Sequence, residues 1–253
     1  MNVCTIENDH YGKERTMWDG RPETIEKKRD VTRDVVGAFG SMKGRRLGMI
    51  MADTCTCLEE FARTGKVDET TRIVDFNYLK GVGKSEFMKS QRSRVAEICR
   101  THGIGKPCIQ NVFKDVLGMS LNMAFDRDWF DSMYLDTCSQ FSKSSIYWLN
   151  SGATCDVVKT GGIVAITWSL SRTNTGWLDE VDAPFDSTGI LLRGDSYSSA
   201  GIRKRNVEKL CRLRKAVEDG GRWKAVRLIH YNRKHDGRGG GYQMATCIFR
   251  KIK

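Results

Sequence analysis

The chain has 253 residues, 40% of them hydrophobic, enough for one sizeable core with decorations. No apolar stretch is long enough to span a bilayer, and the polar start MNVCTIENDHYGKERTMWDG has no signal-peptide core, which predicts a soluble intracellular protein without a membrane partner. The formal net charge is +11, yet residues 201–253 alone hold 16 Lys and Arg against four acids, a net of +12, so the remainder is close to neutral.

In chain order, residues 1–19 read as irregular. Pro22 suits the first position of a helix, and Ile25, Val31, Val35, Val36 and Phe39 give it an apolar stripe that Gly40 ends. The stretch 47–77 organises the rest of the chain. Its apolar run LGMIMA stops at Asp53, and a small polar turn, Asp53-Thr54-Cys55-Thr56, leads into a short helix over 57–63 with Gly65 as a left-handed cap. A second apolar run, Ile73-Val74, ends on Asp75. Strand, turn, helix, strand in a parallel sheet sets the first turn beside Asp75 at the carboxyl edge. Open α/β sheets bind ligands at that edge, and an acid there can take a ribose hydroxyl pair. A doubly wound domain with surface acids at its strand ends gives the same pattern, and the dinucleotide glycine fingerprint is missing.

Gly83-Lys84-Ser85 copies the end of a phosphate-binding P-loop, but the glycine required five positions earlier is Tyr78. A nucleoside triphosphatase and a plain turn both stay open at this point. A helix follows over 85–101, with Phe87, Val95, Ile98 and Cys99 inward. Cys99, His102 and Cys108 lack the fourth ligand and paired spacings of a closed zinc site, so no metal is predicted. Residues 107–112 form a third strand with Asn111 at its carboxyl end. Residues 131–136 form a fourth that ends on Asp136 and runs into Thr137 and Cys138.

A helix is predicted over 142–160, punctuated by Gly161-Gly162. The run IVAITWS, 163–169, then has the unbroken apolar character of a central parallel strand. Residues 171–199, with Trp177, make a polar loop of the length of a lid or binding loop. A helix over 201–219 turns Val207, Leu210, Leu213 and Val217 inward and Arg203, Lys204, Arg205, Arg212 and Arg214 largely outward. Two strands, 223–231 and 242–249, close the chain as an antiparallel hairpin around a basic, glycine-rich turn. The nine cysteines are irregularly spaced and read as reduced thiols. The localised charge favours a polyanionic partner, DNA or RNA, with Arg203, Lys204, Arg205, Arg212, Arg233, Lys234 and Arg238 as candidate phosphate contacts. A merely solvated basic surface is the alternative.

Five βα-type units before a terminal antiparallel hairpin predict an α/β fold with a doubly wound, mostly parallel sheet. The order resembles the class I, Rossmann-like S-adenosylmethionine-dependent methyltransferases, as a divergent member without their glycine-rich first loop. The resemblance covers 44–253, after an N-terminal segment of 1–43 with its leading helix. It implies S-adenosylmethionine as cofactor, with Asp53, Thr54 and Cys55 under its methionine part, Asp75 on the ribose and Asn111 on the adenine amino group. It also implies that Asp136, Thr137 and Cys138 face the transferred methyl, Asp136 orienting or deprotonating the acceptor. The expected activity is methyl transfer to nucleic acid. Cys138-Ser139-Gln140 faintly resembles the attacking-cysteine motif of the cytosine-C5 methyltransferases, with Ser139 and Gln140 in the wrong order and no Pro before Cys138. The alternative is a catalytically degenerate member of the same fold that binds nucleic acid or serves in assembly.

Overall fold

The computed structural model describes residues 5–8, 14–16, 22–51, 55–77, 83–170, 176–193, 200–233 and 242–253. The chain forms two compact units, one of residues 1–45 and 49–118, the other of residues 46–48 and 119–253.

In the first unit, β1 (Thr5–Asn8) and β2 (Glu14–Thr16) pair as a small antiparallel sheet where the sequence reads as irregular. Strands this short carry no apolar alternation to betray them. α1 (Pro22–Ala38) buries Val31, Val35 and Val36, the predicted stripe. β3 (Arg46–Met49), whose first three residues belong to the second unit, leads to α2 (Thr56–Arg63), which buries Leu58 and Phe61 and sets Phe61 edge-on to Phe39 at 5.3 Å. Gly65, at φ 65°, ends α2: its N–H reaches Ala62 O and the Lys66 N–H reaches Phe61 O, which satisfies carbonyls the helix leaves open. β4 (Arg72–Phe76), α3 (Lys84–His102) and β5 (Cys108–Val112) follow, with β4 and β5 parallel.

The second unit contains β6 (Phe130–Gln140), α4 (Lys143–Asn150), α5 (Gly152–Cys155), β7 (Val158–Ser169), β8 (Ile190–Arg193), α6 (Ala200–Glu218), β9 (Trp223–Arg233) and β10 (Tyr242–Lys251). From Ile163 to Ser169 every residue of β7 is buried, as the apolar run predicts. The Trp223 indole donates to Leu149 O at 3.0 Å, and the buried Lys251 ammonium donates to Cys155 O and Val158 O at 2.7 and 2.6 Å.

The strand order is β5-β4-β3-β6-β7-β10-β9-β8. β10 lies antiparallel to both of its neighbours, β7 and β9, while β6 with β7 and β8 with β9 are parallel. A mostly parallel α/β sheet whose last strand is inserted antiparallel is the Rossmann-like methyltransferase fold. No helix of the described residues is long and apolar enough to cross a membrane.

Three predicted elements are corrected. The helix over 142–160 ends at Asn150; Ser151 turns extended at ψ 150°, and after the single turn of α5 the chain is already strand at Val158. Gly161-Gly162 therefore lies inside β7, where Gly161 takes φ 83° and a Cβ on Gly162 would sit 2.5 Å from the Asp131 carbonyl. β6 does not stop at Asp136 but runs to Gln140. The 171–199 loop contains a 3₁₀ turn, Gly176–Glu180, and the edge strand β8.

Candidate functional site

In the first unit the site grows from the pairing of β4 with β5, which sets Asp75 opposite Asn111 near the carboxyl ends of both strands. Asp75 lies one residue inside β4 rather than at its tip, and it is fully buried. A buried carboxylate requires donors, and three converge on it. Oδ1 accepts the Met51 N–H at 2.9 Å; Oδ2 accepts Asn77 Nδ2 at 2.5 Å and Gln91 Nε2 at 2.6 Å. Asn77 Nδ2 is also 3.3 Å from Asn111 Oδ1. Burial pushes the Asp75 carboxyl from 3.8 up to about 6, against the pull of the three donors. The group thus fastens the chain leaving β3, the end of β4 and the body of α3 to one another.

Sequence reasoning misses Gln91 and Asn77. A signal for Gln91 exists: Phe87, Gln91 and Val95 recur every four residues on the buried side of α3, and a polar residue on an apolar stripe needs a polar partner.

Cys55, expected beneath the cofactor, is buried and caps α2 at φ 50°, with its N–H on Met51 O at 3.2 Å. That left-handed conformation is the one glycine adopts freely. Asp53 and Thr54 lie outside the described residues, as do residues 78–82 of the P-loop-like stretch. Lys84 opens α3 exposed, its ammonium 5.3 Å from the Phe113 ring centroid. Among the described residues no group of three His, Cys, Asp or Glu side chains is placed to hold a metal ion.

In the second unit, Leu135 of β6 pairs with Ile166 but Ser139 pairs with Trp168, so β6 bulges at Asp136, Thr137 and Cys138. Bulges re-aim side chains and recur beside active sites. The Thr137 hydroxyl donates to Thr167 O at 2.8 Å, and Asp136 is half-buried; the Cys138 side chain lies outside what is described. Beyond the bulge, the buried Phe141 meets Trp168 at 4.9 Å and stacks on Trp177 at 5.7 Å and 28°. The Lys143 ammonium is 5.8 Å from the Trp177 ring centroid.

On α6, Arg203, Lys204 and Arg205 are exposed. Lys204 is 3.9 Å from Glu208, and among the described residues neither Arg203 nor Arg205 has an acidic partner. Arg212, a candidate phosphate contact, is half-buried and bonds Asp179 at 2.5 Å. Arg233 ends β9 with its side chain undescribed, and Lys234 and Arg238 lie outside the described residues.

No protein-family model matches the chain, and no curated protein matches it. Among solved structures it is similar to TYW2 of M. jannaschii in complex with AdoMet (10% identity, TM-score 0.44, 94% of this chain and 82% of that one). It is similar to an arsenic(III) S-adenosylmethionine methyltransferase of Chlamydomonas reinhardtii (12%, 0.48, 88% and 73%). A third is a mutant form of the 16S rRNA (adenine(1408)-N(1))-methyltransferase of Catenulisporales acidiphilia (10%, 0.39, 89% and 93%). It is the strand order, not these likenesses, that defines the fold.

Proposed function

We propose that this chain transfers a methyl group from S-adenosylmethionine to nucleic acid. The observation that carries the reading is the polar cluster of Asp75, Asn77 and Asn111 at the carboxyl ends of β4 and β5, in a sheet with an antiparallel inserted last strand. Ligands of open α/β sheets bind at such an edge. The donor set fits a nucleoside through its amides. Asn111 is half-buried and Asn77 nearly buried, suited to the adenine and ribose, while Asp75 anchors them from inside. Asp53, Thr54 and Cys55 are the proposed contacts to the methionine part.

When bound, S-adenosylmethionine supplies a methyl on a sulfonium that is already strongly electrophilic. The share left to the protein is alignment of the acceptor and removal of its proton. Asp136, in the bulge, is the proposed group to orient or deprotonate an amino or hydroxyl acceptor, with Cys138 beside it as the alternative covalent nucleophile. The concentration of positive charge after residue 200 supports nucleic acid as the acceptor.

A second reading has its own observation. Asp75 is fully buried and the first loop has no glycine, which favours a binding or assembly protein that keeps the fold without catalysis. Calorimetric titration with S-adenosylhomocysteine and with ATP, side by side, decides. Heat with the former alone supports the methyltransferase. No heat and no thermal shift with millimolar S-adenosylhomocysteine transfers the case to the binding protein. ATP hydrolysis would restore the P-loop reading.

A further inference from the structure

The amides around Asp75 have a polarity, and one fixed point sets it. The Met51 N–H belongs to the backbone and can only donate; Asp75 Oδ1 accepts it at 2.9 Å. Burial raises the Asp75 carboxyl from 3.8 only to about 6, so above that pH it is a carboxylate, which can only accept. Asn77 and Gln91 must therefore both turn their NH2 groups toward Oδ2, as they do at 2.5 and 2.6 Å. A side-chain amide has a donor end and an acceptor end, and its partners decide which end faces where. The Asn77 NH2 has a second hydrogen, which it donates to Asn111 Oδ1 at 3.3 Å. That contact turns the Asn111 carbonyl inward. Asn111 is half-buried and makes no other side-chain hydrogen bond among the described residues. The group it has left to offer is its NH2.

The charge of a buried acid is thus passed on, through two neutral amides, as a choice of hydrogen-bond sign where β4 and β5 end side by side. All of these residues belong to the first unit. Pinning β4 to α3 needs only the bond from Gln91; the bond from Asn77 out to Asn111 goes beyond it. An Asn that reaches the exocyclic amino group of adenine does so with its carbonyl, and here the carbonyl is engaged. Its NH2 matches instead the neighbouring ring nitrogen, N1, which is an acceptor.

We infer that Asn111 reads adenine as a donor, to the N1 ring nitrogen rather than to the amino group, and that Asp75 is the positioning residue that fixes this sign through Asn77. The inference rests on the cofactor reading above and specifies it. The bland role for the cluster is a strut that holds strand ends and leaves Asn111 free to present either end.

The test is calorimetric titration at pH 8, where Asp75 is ionised, with S-adenosylhomocysteine and two analogues. The 1-deaza analogue replaces N1 by C–H and keeps the amino group; the 6-deamino analogue keeps N1 and lacks the amino group. Wild type should bind the 1-deaza analogue roughly 5- to 150-fold more weakly than the parent, because the Asn111 NH2 is left facing a carbon. The 6-deamino analogue should bind nearly as well as the parent. Asp75→Asn reverses every sign. The new carbonyl still meets the Met51 N–H, so the new NH2 faces Asn77 and Gln91. Asn77 must then offer its carbonyl, and Asn111 turns its NH2 inward and its carbonyl out. This variant should lose the 1-deaza penalty and acquire one for the 6-deamino analogue. Asn111→Asp, which places only acceptors at the edge, should show the same reversal. A mere strut weakens all three ligands in common and leaves their ratios alone.

Equal binding of the parent and the 1-deaza analogue by wild type, or a 1-deaza penalty that persists in Asn111→Asp, overturns the sign assigned to Asn111. Reversal in Asn111→Asp but not in Asp75→Asn overturns the role given to Asp75. Should Asp75→Asn not fold, Asn77→Ala cuts the same chain, and an undiminished 1-deaza penalty there overturns the relay. A wild type that binds none of the three ligands overturns the cofactor reading itself, a different result from one that binds all three alike.

Discussion

Replacing Asp75 by Ala takes away the acceptor shared by the Met51 N–H, Asn77 Nδ2 and Gln91 Nε2. A buried donor stripped of its acceptor costs about 1–3 kcal/mol. Against that stands the burden of the buried charge. A carboxyl raised from 3.8 to about 6 holds the folded state back by about 3 kcal/mol at neutral pH. The two effects oppose each other: three donors at about 1–3 kcal/mol each, less that burden, leave an expected net loss at pH 7 of about 0–6 kcal/mol.

The pH dependence is sharper. Between 3.8 and about 6 the folded protein binds the Asp75 proton more tightly than the unfolded chain does, so the wild type gains stability from this group as pH falls through that window and loses it as pH rises. From pH 7 to pH 5 the gain is on the order of 1 kcal/mol. The variant has no such proton. Urea unfolding of both proteins at pH 7 and pH 5 should therefore show the stability gap widening toward pH 5. A constant gap would mean that Asp75 is not raised. A gap that narrows would mean that the three donors outweigh burial and that the carboxylate is held down instead.

Gly162→Ala would force a Cβ to within 2.5 Å of the Asp131 carbonyl and 2.8 Å of the Lys159 carbonyl. Neither oxygen belongs to a side chain that can swing away, so chemical denaturation should report a loss of about 1–3 kcal/mol; an unchanged midpoint would refute the close approach. Lys84→Ala should leave the heat of S-adenosylhomocysteine binding nearly unchanged, since Lys84 is exposed and leans toward Phe113. An ATPase activity present in wild type and absent in this variant would refute that placement.

The sequence is legible where local pattern encodes the outcome. The stripe of α1, the glycine stop of α2, the all-apolar run within β7 and the closing hairpin each carry their own period or punctuation, and each forms. β8 escapes because Ile190-Leu191-Leu192 is only three apolar residues inside a polar stretch, too few to set a period. The helix expected over 142–160 runs too far because Gly161-Gly162 reads as its terminator, although Val157, Val158 and Thr160 are β-branched and already favour extended chain. The bulge at Asp136 follows from the register of two strands, which no single run of residues states. The burial of Asp75 is likewise a tertiary fact: it needs Gln91, sixteen positions on, turned inward from α3. The charge excess after residue 200 can be counted from the sequence, but its cancellation by Asp179 and Asp186 cannot, since both acids lie in a stretch that reads as open loop.

The insertion of β10 between β7 and β9 also dictates an order of events during synthesis. β7 is complete long before its partner strand begins, and Ile163–Ser169 pairs with Met244–Arg250 on that side. While the ribosome adds the intervening residues, β7 offers an unpaired apolar edge, the kind of surface that recruits strands from other chains. In the folded protein β9 reaches β7 only through β10. The nascent second unit is thus obliged to wait open, and the window in which a chaperone has something to hold closes only when Tyr242–Lys251 slides between two strands made before it.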